Sequence, residues 1–335
     1  MDITGRLGEL TTQVIPPSRP IPTLADDVRE LLLDSPRSLP PKYLYDEAGS
    51  DLFDQICRTK EYYVTRTEDA LLTEVVGNVA TTVRPATVFE FGSGMSRKTP
   101  QIIDACCQVG PLATYAAFDI SPDALRAGGE GLWQSHPEMS VQLFVGDYTA
   151  GLDALPVPEG PRLFLFLGGT IGNFSEPEGI RFMRDLAAKM EPGDFLLMGA
   201  DRIKDRQVLH DAYNDSEGLT AAFNQNVLRV LNARLGADFE PEAFRHDAVY
   251  SEQNAQIEMR LVATQAQTVT FGSLDEQIRF ARGESILTEV SRKFSRDSLE
   301  RLVRSAGFEL RRHYTTDDEY FSLVLAEIGN FDERL

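Results

Sequence analysis

The sequence predicts an α/β protein, a Rossmann-like doubly wound domain interrupted by a smaller α+β domain. Three observations lead there. Short buried apolar runs alternate with amphipathic helical stretches from residue 87 to residue 200, the pattern of a parallel sheet with crossover helices. The first of those runs opens directly into a glycine turn, Glu90-Phe91-Gly92-Ser93-Gly94. After Asp201 the alternation stops. A long helical stretch and several alternating strands follow, before a last helix and a closing strand pair.

Taken in order, residues 1–19 read as a loose arm, because Pro16, Pro17, Pro20 and Pro22 crowd its end. Residues 24–33, 49–59 and 65–83 have the apolar spacing of helices. The alternating part then runs strand 87–91, helix 98–108, strand 115–120, helix 122–134, strands 140–145 and 162–167, helix 176–190 and strand 194–200. Residues 205–235 read as one helical region, and 248–250, 256–264 and 267–271 as antiparallel strands. Helix 295–306 and strands 309–313 and 320–328 close the chain. The expected domains are a Rossmann-like part, 66–202 with 293–335, and a substrate-binding part, 20–65 with 203–292, the N-terminal helices joining the insert as a lid.

The glycine turn is the first place to look for a ligand. Gly92 and Gly94 lack a Cβ, so the chain can turn tightly and approach a ligand closely. A dinucleotide turn carries a third glycine three residues after Gly94, where this chain has Arg97. That weakens NAD and favours S-adenosylmethionine (SAM). The next strand ends in Asp119, whose carboxylate can accept both hydroxyl hydrogens of a ribose, and the third leads into Gly146-Asp147-Tyr148, a carboxylate and a ring suited to an adenine. Open parallel sheets bind ligands at the carboxyl ends of their strands, so the three features converge on one cleft. Each aspartate read singly is also an ordinary turn or helix cap.

Composition narrows the partners. With 42% hydrophobic and 25% charged residues the chain is an ordinary globular protein. Its net charge of −19 repels phosphate backbones and anionic lipid, which points to a small-molecule substrate and to neither nucleic acid nor membrane. No apolar run approaches the ~20 residues of a bilayer span, and the start, MDITGRLGEL, has no basic and apolar leader, so the expected location is the cytoplasm. The expected working form is a monomer. Three cysteines, two of them adjacent, make a poor disulfide framework, and four scattered histidines offer no metal-ligand spacing. No nucleophile elbow of the Gly-x-Ser-x-Gly type is present, whereas methyl transfer from a sulfonium needs only an unprotonated nucleophile held in line.

The strings KYLYDEAGSDLFDQI, EYYVTRTE, FEFGSGMSRKT, FLGGTIGNF, AAFNQNVL, IEMRL and LTEVSRKF, spread from Lys42 to Phe294, together resemble the SAM-dependent histidine Nα-methyltransferases of ergothioneine biosynthesis. The resemblance implies a class I SAM-dependent methyltransferase fold and a product, hercynine, that is histidine trimethylated on its α-nitrogen. It also implies roles. Tyr45, Gly92, Lys98, Asp119, Asp147 and Tyr148 would hold SAM. Tyr62, Asn173 and Tyr213 would hold the amino and carboxylate groups of histidine where the transfer occurs, Glu289 and Ser291 would grip the imidazole, and Phe53 and Met259 would line the side-chain pocket.

Residue chemistry supports these roles. A buried Glu289 accepts an imidazole N–H, and Ser291, two positions along an extended segment, faces the same way and complements the other ring nitrogen. A pocket that satisfies both nitrogens rejects rings lacking them. Plain structural readings stand beside these: Glu289 as a solvated partner of Arg292 or Lys293, Tyr213 as a helix-face aromatic, Asn173 as a helix cap. Two positions depart from the family pattern, Gly169 where serine is more frequent and Arg292 where cysteine is. The rival readings are an Nα-methyltransferase for another amino acid such as a tryptophan derivative, a non-catalytic SAM-binding protein and, last, an NAD oxidoreductase.

Overall fold

The computed structural model describes residues 8–329 of the 335. In chain order the elements begin with strand β1 (Leu10–Val14), helix α1 (Leu24–Asp27) continued by a π-helical turn (Val28–Leu32), strand β2 (Arg37–Ser38), and helices α2 (Glu47–Ile56) and α3 (Val64–Val83). There follow β3 (Thr87–Phe91), α4 (Thr99–Val109), β4 (Thr114–Asp119), α5 (Pro122–Ser135), β5 (Ser140–Val145), β6 (Arg162–Phe166), α6 (Glu176–Ala187) and β7 (Phe195–Asp201). Next come α7 (Arg206–Ala212), α8 (Leu219–Leu235), β8 (Phe244–Ser251), β9 (Gln256–Ala263), β10 (Gln267–Phe271), β11 (Glu276–Phe280) and β12 (Ser285–Arg292). Helix α9 (Arg296–Ser305) and strands β13 (Phe308–Thr315) and β14 (Phe321–Ile328) complete the chain.

These elements form two compact units. The first takes in Thr67–Arg202 together with the described residues up to Ile21 and from Phe294 onward. It is built on an eight-stranded sheet of order β1-β5-β4-β3-β6-β7-β14-β13, parallel from β1 to β7 and antiparallel at its last two strands. The fold is a Rossmann-like α/β sheet. Strands β3 and β6 are buried at every position, as strands covered by helices on both faces must be. The strand order reverses at β3 and β6, so the ligand crevice of such a sheet opens above their carboxyl ends. Beneath it lies a core that includes Phe89, Phe91, Phe164, Phe166 and Phe182.

The arm expected over residues 1–19 needs correction. Residues 1–7 lie outside the described residues, as do 330–335 at the other end, but Leu10–Val14 is an edge strand paired in parallel with β5 from Leu10↔Val141 to Val14↔Val145. The prolines come after it and stop it from continuing.

The second unit, Pro22–Arg66 with Ile203–Lys293, carries a four-stranded sheet of order β2-β12-β9-β8 and a separate hairpin, β10 with β11. The helical stretch expected over 205–235 is two helices. Asp205 caps α7 through the Gln207 and Val208 amides, and Asp215 accepts the amides of Leu219 and Thr220 at 2.8 and 2.7 Å to start α8. The polar run between them, Asn214 to Gly218, supplies the break. Helix α8 is tied to the sheet by Asn224, fully buried, which donates to the Arg260 carbonyl and accepts from Thr288 Oγ1 at 2.6 Å. Among the described residues no helix is long and apolar enough to cross a membrane.

Candidate active site

In the first unit the predicted donor-binding residues gather at the strand ends. Gly92 and Gly94 take φ values of +66° and +50°, which side-chain-bearing residues rarely adopt, and a Cβ on Gly94 would meet nothing within 4 Å, so its backbone is open to a ligand. The turn is held by Asp119, whose Oδ2 accepts from the Gly94 amide at 2.9 Å while Oδ1 accepts from the Ser121 amide at 2.9 Å. Burial raises the Asp119 pKa above the ordinary aspartate value, against these bonds. Asp147 starts a 3-10 turn (Tyr148–Ala150) by accepting from the Thr149 amide at 2.8 Å, and the Tyr148 ring packs edge-on against Phe118 and Phe166 with centroids 6.4 and 5.9 Å away. The arrangement fits a nucleoside: an open glycine turn, a carboxylate at the next strand end, and a second carboxylate beside a ring.

Lys98 precedes α4 and donates to the carboxylate of Glu68. Glu68 projects from α3, is fully buried, and also accepts from the Gly168 amide at 2.8 and 2.9 Å. Gly199 makes the room, since a Cβ there would lie 2.1 Å from Glu68 Oε1. One carboxylate thus fixes Lys98 and the start of the segment that carries Asn173. Asn173 ends a 3-10 turn (Thr170–Asn173) and does not cap α6, whose N-cap is Ser175 in a capping box with Glu178.

The second unit brings together Tyr45, Phe53, Tyr62, Tyr213, Met259, Glu289 and Ser291. Tyr45, Phe53, Tyr62 and Tyr213 form an unbroken run of edge-to-face rings with successive centroids 5.6, 6.1 and 6.1 Å apart. Glu289 and Ser291 share a face because they are two positions apart, and a β-bulge just before them decides which face that is. Ile286 pairs with Leu261 and Leu287 with Arg260, but Glu289 pairs with Met259 and Ser291 with Ile257, so Thr288 is the extra residue. Without it the strict alternation from Ile286 would turn Glu289 and Ser291 to the opposite face. With it they lie buried beside Met259 and Ile257.

Glu289 is therefore not a solvated ion-pair partner. It is 8% exposed, accepts from the Tyr45 hydroxyl at 3.3 Å, and burial pushes its pKa up to about 7, offset in part by that bond and by the charge of Lys293. Tyr213 caps the end of α7 and is buried, its hydroxyl donating to Ser291 Oγ at 2.9 Å. Its carbonyl accepts from His246 Nε2 at 2.8 Å, and Asn224 contacts Nδ1 of that ring at 2.9 Å, which makes His246 a packing residue. Burial likewise raises the Tyr62 pKa well above the usual tyrosine value, so the phenol stays a hydrogen-bond donor. A buried carboxylate and hydroxyl, a run of aromatic rings and a thioether close by suit a flat polar ring.

The profile of the family described as "Histidine-specific methyltransferase, SAM-dependent" matches residues 24–328. The chain belongs to this family. It is 41% identical to a histidine N-alpha-methyltransferase of Mycolicibacterium smegmatis over 90% of this chain and 94% of that one. It is 31% identical to ergothioneine biosynthesis protein 1 of Neurospora crassa over 88% of this chain and 34% of that longer one. An L-tryptophan methyltransferase of Psilocybe serbica is 27% identical over 92% of this chain and 94% of its own length. As a member of this family the chain is a SAM-dependent methyltransferase.

Two residues of this histidine-specific methyltransferase escaped the sequence reading of roles. Glu68 ends the string EYYVTRTE, and its only signal is a carboxylate on the apolar side of an otherwise amphipathic helix. Lys293 is 3% exposed and donates to the Tyr213 hydroxyl at 2.8 Å and to Ser291 Oγ at 2.9 Å. The spacing of Glu289, Ser291 and Lys293, a period of two along β12 and the residue just after it, was the available signal. Tyr45, given to the donor by resemblance, lies in the second unit with its hydroxyl on Glu289.

Proposed function

We propose that the chain methylates the α-nitrogen of L-histidine, in three rounds ending at hercynine, as a step of ergothioneine biosynthesis. Family membership and the histidine N-alpha-methyltransferase relatives support this. The observation that carries it is the pairing of buried Glu289 and Ser291 on one strand face opposite Met259. Those two polar groups complement the two nitrogens of an imidazole, and an indole or a phenyl ring would strand at least one of them.

SAM, when bound, supplies a methyl group on a sulfonium leaving group. Gly92, Lys98, Asp119, Asp147 and Tyr148 are the residues assigned to it, with Tyr45 as a further contact that also orients Glu289. The task left to the chain is to present an unprotonated nitrogen in line with that carbon. An α-ammonium titrates near 8, so it must lose a proton before each transfer. Asn173, Tyr62 and Tyr213 are assigned to the amino and carboxylate groups. Tyrosine rings suit the ammonium that grows more methylated and ends as a permanent cation. The same reading places the protein in the cytoplasm and takes a monomer as its working form.

The test is mass spectrometry of the protein incubated with SAM and each of the twenty amino acids. Histidine carrying one, two and three added methyl groups is the expected product series. Turnover of tryptophan in its place would replace the reading with its rival, and no turnover at all would leave a SAM-binding protein.

A further inference from the structure

Lys293, Tyr213 and Ser291 form a closed triangle in the second unit, with edges of 2.8, 2.9 and 2.9 Å. All three residues are buried, and the Lys293 ammonium also sits 4.8 Å from the centroid of the Tyr213 ring. An ammonium donates hydrogen bonds and accepts none. That one fact sets the polarity of the group. The Tyr213 oxygen receives a hydrogen from Lys293, so its own proton is the one it gives away, to Ser291 in this structure. Ser291 Oγ receives hydrogens from both neighbours, which occupies its two lone pairs and leaves its own proton to be donated elsewhere. A carboxylate arriving at Tyr213 can draw the phenol proton from Ser291 and free one of its lone pairs, but Lys293 still fills the other and its charge still opposes a cation at Ser291.

We propose that Lys293 is a positioning residue that keeps Ser291 a hydrogen-bond donor, so that the pocket takes the imidazole of histidine as its neutral form, N–H toward Glu289 and bare nitrogen toward Ser291. The proposal rests on the reading of Glu289 and Ser291 as the ring contacts. It assigns a selection rule to a residue that touches no substrate. An imidazolium carries a proton on both nitrogens and would set N–H against O–H at Ser291, with the Lys293 charge close behind it.

Two measurements test this. In the first, ring-¹⁵N-labelled histidine is bound to the wild-type protein with S-adenosylhomocysteine, so that no turnover occurs, at a pH about half a unit below the usual imidazole pKa of about 6.5. The ¹⁵N spectrum should give one protonated and one bare nitrogen although most free histidine is cationic there; a bound imidazolium overturns the proposal. This measurement needs no variant and so does not depend on how a buried substitution is tolerated.

The second is a cycle of Lys293→Met, Ser291→Ala and the double variant, read as kcat and KM for histidine and as SAM affinity. Each single change should raise KM for histidine about 10-fold or more, the value of one lost bond to a desolvated partner. The double variant should be no worse than the poorer single within about threefold, and SAM affinity should stay within about twofold. Independent, multiplying losses would overturn the link through Ser291. Wild-type protein that turns over no histidine defeats the parent reading. Wild-type turnover with multiplying losses defeats only the role of Lys293.

Discussion

Gly92, Lys98, Asp119, Asp147 and Tyr148 follow three consecutive parallel strands of one sheet, whereas Phe53, Tyr62, Tyr213, Met259, Glu289 and Ser291 come from five separate segments of the other unit. The first group works largely through backbone shape: two positive-φ glycines, and an aspartate whose oxygens hold the amides of Gly94 and Ser121. The second works through side chains whose directions depend on a bulge, a helix end and a ring contact. On the proposed reading, a donor common to many reactions is met by a local rule, and the acceptor that distinguishes this reaction is met by tertiary detail. Substitutions should therefore separate donor affinity from acceptor recognition.

Glu289→Ala gives the cleanest separation and the greatest loss. Removing a buried carboxylate from a polar ring strands the donor facing it, which costs about 3 to 4 kcal/mol, or roughly a 10²- to 10³-fold drop in kcat/KM for histidine. SAM affinity, read by calorimetry, should change less than about twofold. Equal losses of both would show that Glu289 supports the fold at large and does not read the ring.

Asp119→Ala is the converse. It removes the acceptor assigned to the ribose and the partner of the Gly94 amide together, so SAM affinity should fall about 10- to 100-fold. Thermal shifts produced by histidine should survive. A loss of histidine binding as large as the loss of SAM binding would count against separate sites for donor and acceptor.

Glu68→Gln should blur the separation. Glu68 holds both Lys98 and the Gly168 amide, so its neutral isostere loosens a donor contact and the segment leading to Asn173. Charge-assisted bonds are worth about twice neutral ones. A loss of about 1.5 kcal/mol, roughly tenfold, is expected in kcat/KM for SAM and for histidine alike. A change confined to one substrate would assign Glu68 to that side alone.

How far the sequence could be read follows the same division. Strand β3 and strand β5 have the bounds that their apolar runs predict, β3 because a run buried at every position needs no partner to be recognised and β5 because its apolar run stops at Gly146. The glycine turn and the two aspartates stand at their strand ends for the same local reason. Strand β1 was hidden by prolines that follow it, and the break at residues 213–218 by apolar spacing that continues across two helices. The bulge at Thr288 could not be seen at all, since it is a property of how β12 meets β9. Burial of Lys293 had only a period-two spacing to announce it, and charged residues at that spacing usually face water.

The two halves also hold one buried carboxyl each whose pKa is pushed up to about 7, Glu90 and Glu289, and the smallest predicted effect uses both. Glu90 lies under the glycine turn, where its Oε2 accepts from Thr99 Oγ1 at 2.6 Å and from the Tyr115 hydroxyl at 2.7 Å, but burial outweighs those bonds. In the unfolded chain both carboxyls ionise near 4.3. Between that value and about 7 the folded protein binds more protons than the unfolded one, so its stability falls as pH rises. The contribution is fully present below the unfolded value and is lost as pH rises through about 7, at up to about 1.4 kcal/mol per unit for each group. Melting curves at pH 5 to 8 should thus drop by several degrees in the wild type and less in Glu90→Gln or Glu289→Gln, since an amide does not titrate. Saturating histidine distinguishes the two: an imidazole N–H on Glu289 favours its ionised form and should flatten that share of the slope, while the share of Glu90 stays. A slope that histidine leaves unchanged would mean that Glu289 does not meet the ring.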